Sequence, residues 1–375
     1  MRAENPFYGA SPSAPIMVAR SADELDTPAM IVDLELLEGN IRKMADFFRD
    51  KEAKLRPHTK THKCPEIAHK QLGAGARGIT CAKLGEAEVM AENGIKDILV
   101  ANEIVGRRKI ERLLKLDDIC DVIIAMDNAS NAKMISDMAL GNGKCVDVVL
   151  EIDVGMGRCG VRPGGEALSF ARKVSGMKGL AMKGIMGYEG HAVMIQDFEE
   201  RRRECMRALK QLMDTKSAIE GEGIRVEVVS AGGTGTYNVT GSYPGVTEVQ
   251  AGSYATMDAR YRGIVPDFDC AIGILTSVIS HPTSDRAIVD AGMKSATTEF
   301  GLPIVKGMKG VEVMKLNEEH GILRLGEGTK LSLGDKIELT PTHGCTTINL
   351  HDRMYALRNG TVESVWEISA RGKST

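Results

Sequence analysis

The sequence predicts an α/β chain, a (β/α)8 barrel of the TIM type followed by a mostly antiparallel β domain. Three observations carry this. Short apolar runs alternate with amphipathic helix-length runs through the first two thirds of the chain, as parallel strands with crossover helices do. The helix-length runs stop after about Pro266. Beyond that point β-runs are separated only by turns such as Arg358-Asn359-Gly360.

In order, the strand candidates are AMIVDL (29–34), LRPHT (55–59), GITCAK (78–83), DILVANE (97–103), DVIIAMD (121–127), VDVVLEID (146–153), GIMGYEG (184–190), VEVVSAGG (226–233) and TEVQAGSY (247–254). PEIAHKQLGA, GEAEVMAEN and EERRRECMRALKQLMDTKSAI supply helices between them. Nine candidates exceed a closed barrel by one, and the eight from Leu55 onward fit it. AIGILTSVISHP, RAIVDAG, VEVMKLNEEHGIL, KIELTPTH, RMYALRNG and VESVWEISA form the second part. The expected division is 30–265 for the barrel and 1–29 plus 266–375 for the β domain.

Composition narrows the function. The 375 residues are 43% hydrophobic, and their 48 basic and 51 acidic groups are interspersed, so no nucleic acid or membrane is an expected partner. A small uncharged or zwitterionic ligand fits better. Eight cysteines without a CxxC pair point to reduced thiols and a cytoplasmic place. The first residues hold no apolar run of signal-peptide length, and no segment approaches a membrane span.

Three stretches carry chemistry. In "LRPHTKTHK", Lys60 falls at the C-terminal end of the first barrel strand, the rim that holds active sites in this architecture. Desolvation and the nearby Arg56, His62 and Lys63 would lower its pKa and favour Schiff-base chemistry, although a solvated lysine explains the same residues. In "SAGGTGTY", Gly232, Gly233 and Gly235 let backbone N–H groups converge on an anion; Gly252, Ser253 and Tyr254 of "VQAGSYATMD" could complete a phosphate cup. The bland alternative is a flexible turn. In "PTHGCTTINLHD", His343 and Cys345 stand two apart on or just after a strand, so both side chains can point to one side as zinc ligands. A turn histidine and a core cysteine are the structural alternative.

Together "DTPAMIVDL", "LRPHTKTHKCPEIA", "EIDVGMGRCGV", "SAGGTGTY", "EVQAGSYATMD", "IVDAGMKS", "EHGIL", "PTHGCTTINLHD" and "VWEISARGK" resemble the D-threonine aldolase and D-serine dehydratase group of pyridoxal 5'-phosphate (PLP) enzymes, which have the alanine racemase type of fold. The resemblance runs from about Thr27 to Lys373. It implies that Lys60 forms the Schiff base with PLP. It further implies that Gly232, Gly233, Thr234, Gly235 and Thr236, with Gly252, Ser253 and Tyr254, hold the phosphate. Arg158 would sit near the phenolic oxygen of PLP, and Tyr188 of "GYEG" joins the cofactor-binding residues. The spare strand AMIVDL would belong to the outer β domain. His343 and Cys345 would hold a divalent metal, zinc before manganese or magnesium because cysteine is a soft ligand. A homodimer with shared active sites and a D-amino acid substrate complete the expectation.

Two departures bear on the reaction. Aldolases of the group usually read His-Cys-Asp at the metal segment, whereas His343-Gly344-Cys345 places cysteine where the aspartate stands, as in the zinc-dependent D-serine dehydratases. Many aldolases also carry a Gln-His pair where this chain has Val193-Met194; the nearby His191 is a candidate catalytic substitute, and a structural histidine is the alternative. The dispersed motifs favour retro-aldol cleavage of a D-3-hydroxy amino acid to glycine and an aldehyde. The metal segment favours dehydration to a 2-oxo acid and ammonia. Racemisation and a non-catalytic PLP carrier rank behind both.

Overall fold

The computed structural model describes residues 21–375; the part of the β-domain expectation that falls on 1–20 lies outside them. The first strand, β1 (Ala29–Asp33), leads into the helix Leu34–Phe48. Asp33 caps that helix by accepting from the N–H groups of Glu35 (3.0 Å) and Leu36 (3.1 Å). Its buried residues Leu34, Leu37, Ile41, Met44 and Phe48 recur at the three-and-four spacing of one helix face.

Eight parallel strands follow: β2 (Lys54–Leu55), β3 (Ile79–Cys81), β4 (Asp97–Glu103), β5 (Asp121–Met126), β6 (Val146–Glu151), β7 (Leu180–Gly187), β8 (Val228–Ala231) and β9 (Glu248–Val249). Their order is β2-β9-β8-β7-β6-β5-β4-β3. A parallel bridge between His58 and Thr80 joins the ends, with Thr80 N–H donating to Pro57 O at 2.8 Å. The strands are buried on both faces. Leu99, Ala125, Val149, Met186 and Val228, one from each of β4 to β8, form a cluster of their own inside the barrel, while their neighbours Ile98, Val100, Ile124, Val148 and Val229 pack outward against the helices. All C-terminal strand ends open on one mouth.

The second sheet contains β1 and β10 (Ile272–Thr283), β11 (Arg286–Val289), β12 (Ile304–Val305), β13 (Val311–Leu316), β14 (Gly321–Leu325), β15 (Lys336–Thr340), β16 (Arg353–Arg358) and β17 (Thr361–Glu367). It runs β13-β14-β11-β10-β1-β16-β17, with β15 on β10 and β12 on β15. Its pairs are antiparallel except β1 with β16. Asn359 and Gly360, both at positive φ (50° and 75°), make the tight hairpin expected from their sequence.

One boundary is corrected. A division at 29/30 cuts through β1, whose residues pair with Ile272–Leu275 and Tyr355–Leu357 in the second sheet. Met30–Asp33 therefore belong with the β domain, and the barrel portion begins at the helix after them. No helix among the described residues is long and apolar enough to cross a membrane.

Candidate active site at the barrel mouth

A cavity of about 580 Å³ occupies the mouth. Lys60 enters it from the 3-10 turn Thr59–Thr61 that follows β2. His58 caps this turn, its Nδ1 accepting from Lys60 N–H at 3.4 Å. The Lys60 ammonium lies 5.9 Å from the centre of the Tyr188 ring, and the Arg158 guanidinium lies 5.9 Å from the same ring. Burial is the main force lowering the Lys60 pKa; Arg158 adds to it, while Cys345 and Glu86 oppose.

The cationic neighbours expected from sequence do not provide this effect. Arg56 turns into the opposite end of the barrel, where it binds Glu248. Lys63 is paired with Glu86 at 3.5 Å, and burial drives His62 down to about 4, leaving it neutral.

Across the mouth, Gly232, Gly233, Thr234, Gly252 and Ser253 line the cavity. Gly232 has φ +80°, and its N–H donates to Glu189 Oε2 at 3.1 Å. A Cβ at Gly252 would stand 2.6 Å from His58 O and 2.8 Å from Thr61 Oγ1. Three residues of the expected cup stand behind this wall instead. A Cβ at Gly235 would meet Val193 O at 2.0 Å, so this glycine serves close backbone packing. Thr236 Oγ1 donates to buried Glu189 at 2.8 Å. The Tyr254 hydroxyl accepts from Gln71 Nε2 at 2.9 Å and its ring packs on Phe268; only its N–H faces the cup, donating to Thr234 Oγ1 at 3.1 Å.

His191 is likewise not on the cavity wall. Its ring lies where a side chain at Gly155 would be, 3.0 Å from that ideal Cβ, in the pocket that a glycine at φ +125° leaves open. Met194, three residues on, reaches the wall in its place.

His343 and Cys345 both line the cavity, although not through strand alternation. His343 precedes the short helix Gly344–Ile348 and Cys345 lies in its first turn. Burial alone would raise the Cys345 pKa, but hydrogen bonding to His343 and the nearby charges of His343 and Lys60 bring it below the usual thiol value. Burial in turn opposes the charge on His343, but the Cys345 and Glu299 side chains raise it to about 9. The two side chains thus favour each other's charged form, which eases loss of the thiol proton to a metal. Asp258 supports the turn by accepting from Gly344 N–H at 3.0 Å. Asp352, further along the same segment, pairs with Arg371 at 2.6 Å.

Sequence reasoning missed four groups. Gln250 lines the cavity and donates to Ser230 Oγ at 2.9 Å. Glu151, pushed up to about 8 by burial and by Glu103, lies 3.7 Å from Arg158. Glu103, Asp127 and Cys159 converge within 4.8 Å, a geometry that could hold a cation. Burial and these carboxylates keep the Cys159 thiol protonated, up at about 11, and Asp127 accepts from Gly160 N–H at 3.0 Å. Glu299 lies 2.5 Å from His343 Nδ1. Each of these is an ordinary polar residue at the end of a strand or in a loop, and only Gln250, two before Gly252, carries a signal of position in the motif.

Comparison with known proteins agrees with this architecture. The family model for the alanine racemase N-terminal domain matches residues 32–260, and that for a serine dehydratase domain matches 271–357. A D-threonine aldolase of Arthrobacter sp. is 38% identical over 93% of this chain and 94% of its own. A 3-hydroxy-D-aspartate aldolase of Paracoccus denitrificans is 37% identical over the whole of both chains. The crystal structure of a D-threonine aldolase from Filomicrobium marinum superposes with TM-score 0.93 and 36% identity, covering 96% of this chain and 99% of that one. A cysteine-to-alanine variant of a D-threo-3-hydroxyaspartate dehydratase, in the metal-free form, gives 0.84 at 28% identity over 93% and 99%. With one family model spanning most of the barrel and relatives aligned over nearly its full length, the chain belongs to the alanine racemase-like family that holds these D-threonine and 3-hydroxy-D-aspartate aldolases.

Proposed function

We propose that the chain is a PLP- and divalent-metal-dependent lyase that cleaves D-3-hydroxy amino acids to glycine and an aldehyde. The observation that carries it is the opening of a half-buried amine of lowered pKa, Lys60, and of a histidine–cysteine pair, His343 with Cys345, onto one cavity.

The residues present fit PLP. The cavity is large enough at about 580 Å³, its amine is desolvated, and the positions where a side chain would fill the cradle, Gly233 and Gly252, are glycines. Lys60 would hold the aldehyde carbon, the Gly232–Thr234 turn with Ser253 the phosphate, and Arg158 the phenolic oxygen. Bound PLP supplies an electron sink for the pair released at Cα. Tyr188, half-buried and with its hydroxyl pushed well up by desolvation and by Glu189, stays protonated and provides a flat wall.

His343 and Cys345 fit zinc by softness, which a set of oxygen donors would not. A metal there supplies a Lewis acid for the substrate's β-hydroxyl. Lys60, its pKa lowered by burial, is placed to carry a proton to or from Cα. A homodimer that completes the mouth belongs to the same proposal, supported by Phe300, 42% exposed at the rim. So does a cytoplasmic place, supported by eight unpaired cysteines.

Cys345 favours a second reading, dehydration, because a soft thiol stands in the metal segment as the resemblance to the zinc-dependent dehydratases implies. The test is a product assay with PLP and zinc or manganese, on D-threonine, D-3-hydroxyaspartate and their L-forms. Glycine and an aldehyde from D-forms alone establish the aldolase. A 2-oxo acid with ammonia refutes it in favour of the dehydratase.

A further inference from the structure

His343 is held by Glu299 and Phe300 from one stretch of chain and by Thr346 from its own segment. Its Nδ1 lies 2.5 Å from Glu299 Oε1. Thr346 Oγ1 donates to the same carboxylate oxygen and sits 3.1 Å from Nδ1. The next residue, Phe300, stacks on the imidazole at 4.4 Å between centroids and 25° between planes. This stretch, between β11 and β12, is tied to the metal segment: Thr297 Oγ1 meets Thr346 Oγ1 at 2.8 Å, and Thr342 Oγ1 donates to Gly301 O at 2.6 Å. Glu299 is therefore placed by the same framework that places its histidine.

An ionised carboxylate only accepts hydrogen bonds, so Nδ1 must keep its proton, and Nε2 is the nitrogen that gives up a proton when a cation binds. Phe300 limits rotation of the ring out of that orientation. We propose that Glu299 is the positioning residue of the metal centre, selecting Nε2 of His343 as the nitrogen that binds the cation beside Cys345. This rests on the reading of His343 and Cys345 as ligands. Carboxylates that orient a ligating imidazole also raise its basicity, and removing them costs about 10–100-fold in metal affinity.

The test is zinc affinity of chelator-stripped, PLP-supplemented protein, measured by competition with a chromophoric chelator. Glu299→Gln is expected to weaken zinc about 10-fold or more, and Glu299→Asp to recover part of the loss. Thr346→Val, which removes only the hydroxyl that anchors Glu299, is expected to weaken it about threefold, an order-of-magnitude figure for one lost hydrogen bond. The cobalt-substituted protein adds a signature that plain structural damage does not give, with shifted d–d bands in Glu299→Gln at unchanged melting temperature. Wild-type zinc affinity in Glu299→Gln, with affinity lost in His343→Ala, overturns the positioning role and leaves the metal site intact. Wild-type affinity in His343→Ala overturns the ligand assignment and the role together.

Discussion

Arg56 and Glu248 form a bidentate ion pair inside the barrel, with Nε–Oε2 and Nη2–Oε1 both at 2.9 Å and side-chain exposures of 1% and 0%. Glu248 begins β9 and Asp97, the second partner of Arg56, begins β4, so the pair closes the N-terminal end opposite the catalytic mouth.

Removing one partner would strand a buried charge. Arg56→Met is expected to destabilise the fold by about 3–5 kcal/mol, whereas Arg56→Met with Glu248→Leu should recover most of that loss. Urea unfolding of both variants decides it: equal losses would show that packing of the arginine stem, not charge, dominates.

The same pair shows where sequence reading stops. Arg56 and Lys60 are four apart and look like one basic patch, yet strand alternation and the turn at Thr59–Thr61 send them to opposite ends of the barrel. β4, β5 and β6 were legible because both faces are buried and the runs are continuously apolar. β1 has the same texture, and only partners more than 200 residues away, Leu275 and Tyr355, place it in the other sheet. β12 has two residues, too few for any period. Lys60 and the glycine turn stand out by residue type at a strand end. Glu299 does not, because its role exists only through a histidine 44 positions away.

Gly252 tests the cradle. A methyl group there would press on the carbonyl of His58 at 2.6 Å, and backbone cannot swing aside as a side-chain tip can. Gly252→Ala is expected to cost about 1–3 kcal/mol by overpacking and to displace the turn that carries Lys60, weakening PLP about tenfold, a conversion of the low end of that range. Gly233→Ala, whose nearest contact is the Tyr188 ring at 3.2 Å, should be milder. Absorbance titrations with PLP that rank the two in reverse order would sink the assignment of the tight wall to Gly252.

His62 sets an acid limb on stability. Burial lowers its pKa from 6.5 to about 4, so above pH 6.5 it is neutral in both folded and unfolded chains and its contribution is complete. As pH falls from about 6.5 to about 4 the unfolded chain takes up a proton that the folded chain refuses, and stability drops by about 3 kcal/mol. His58, also buried and pushed down, extends the slope. His62→Asn keeps an acceptor for the Cys64 N–H, which His62 Nδ1 holds at 3.2 Å, but has nothing to titrate. Its unfolding free energy should therefore fall less than that of the wild type between pH 7 and 4.5; parallel curves would remove His62 as the cause.

Cys345 offers the sharpest test of the metal centre. Cys345 is half-buried, its sulfur 3.5 Å from Thr61 Oγ1, and His343 lowers its pKa, which makes it a ready soft donor in a site that shares a wall with Lys60. Cys345→Asp replaces the soft donor with a hard one, so zinc should weaken by about tenfold or more while manganese or magnesium gains relative to it. Cys345→Ser keeps the shape but has a neutral hydroxyl at working pH, and should lose zinc without gaining manganese. Both titrations are run on chelator-stripped protein, independently of turnover. If Cys345→Ser binds zinc as the wild type does, the thiolate is not a ligand, and the hydroxyl of the substrate must be activated by protein groups around Lys60 instead.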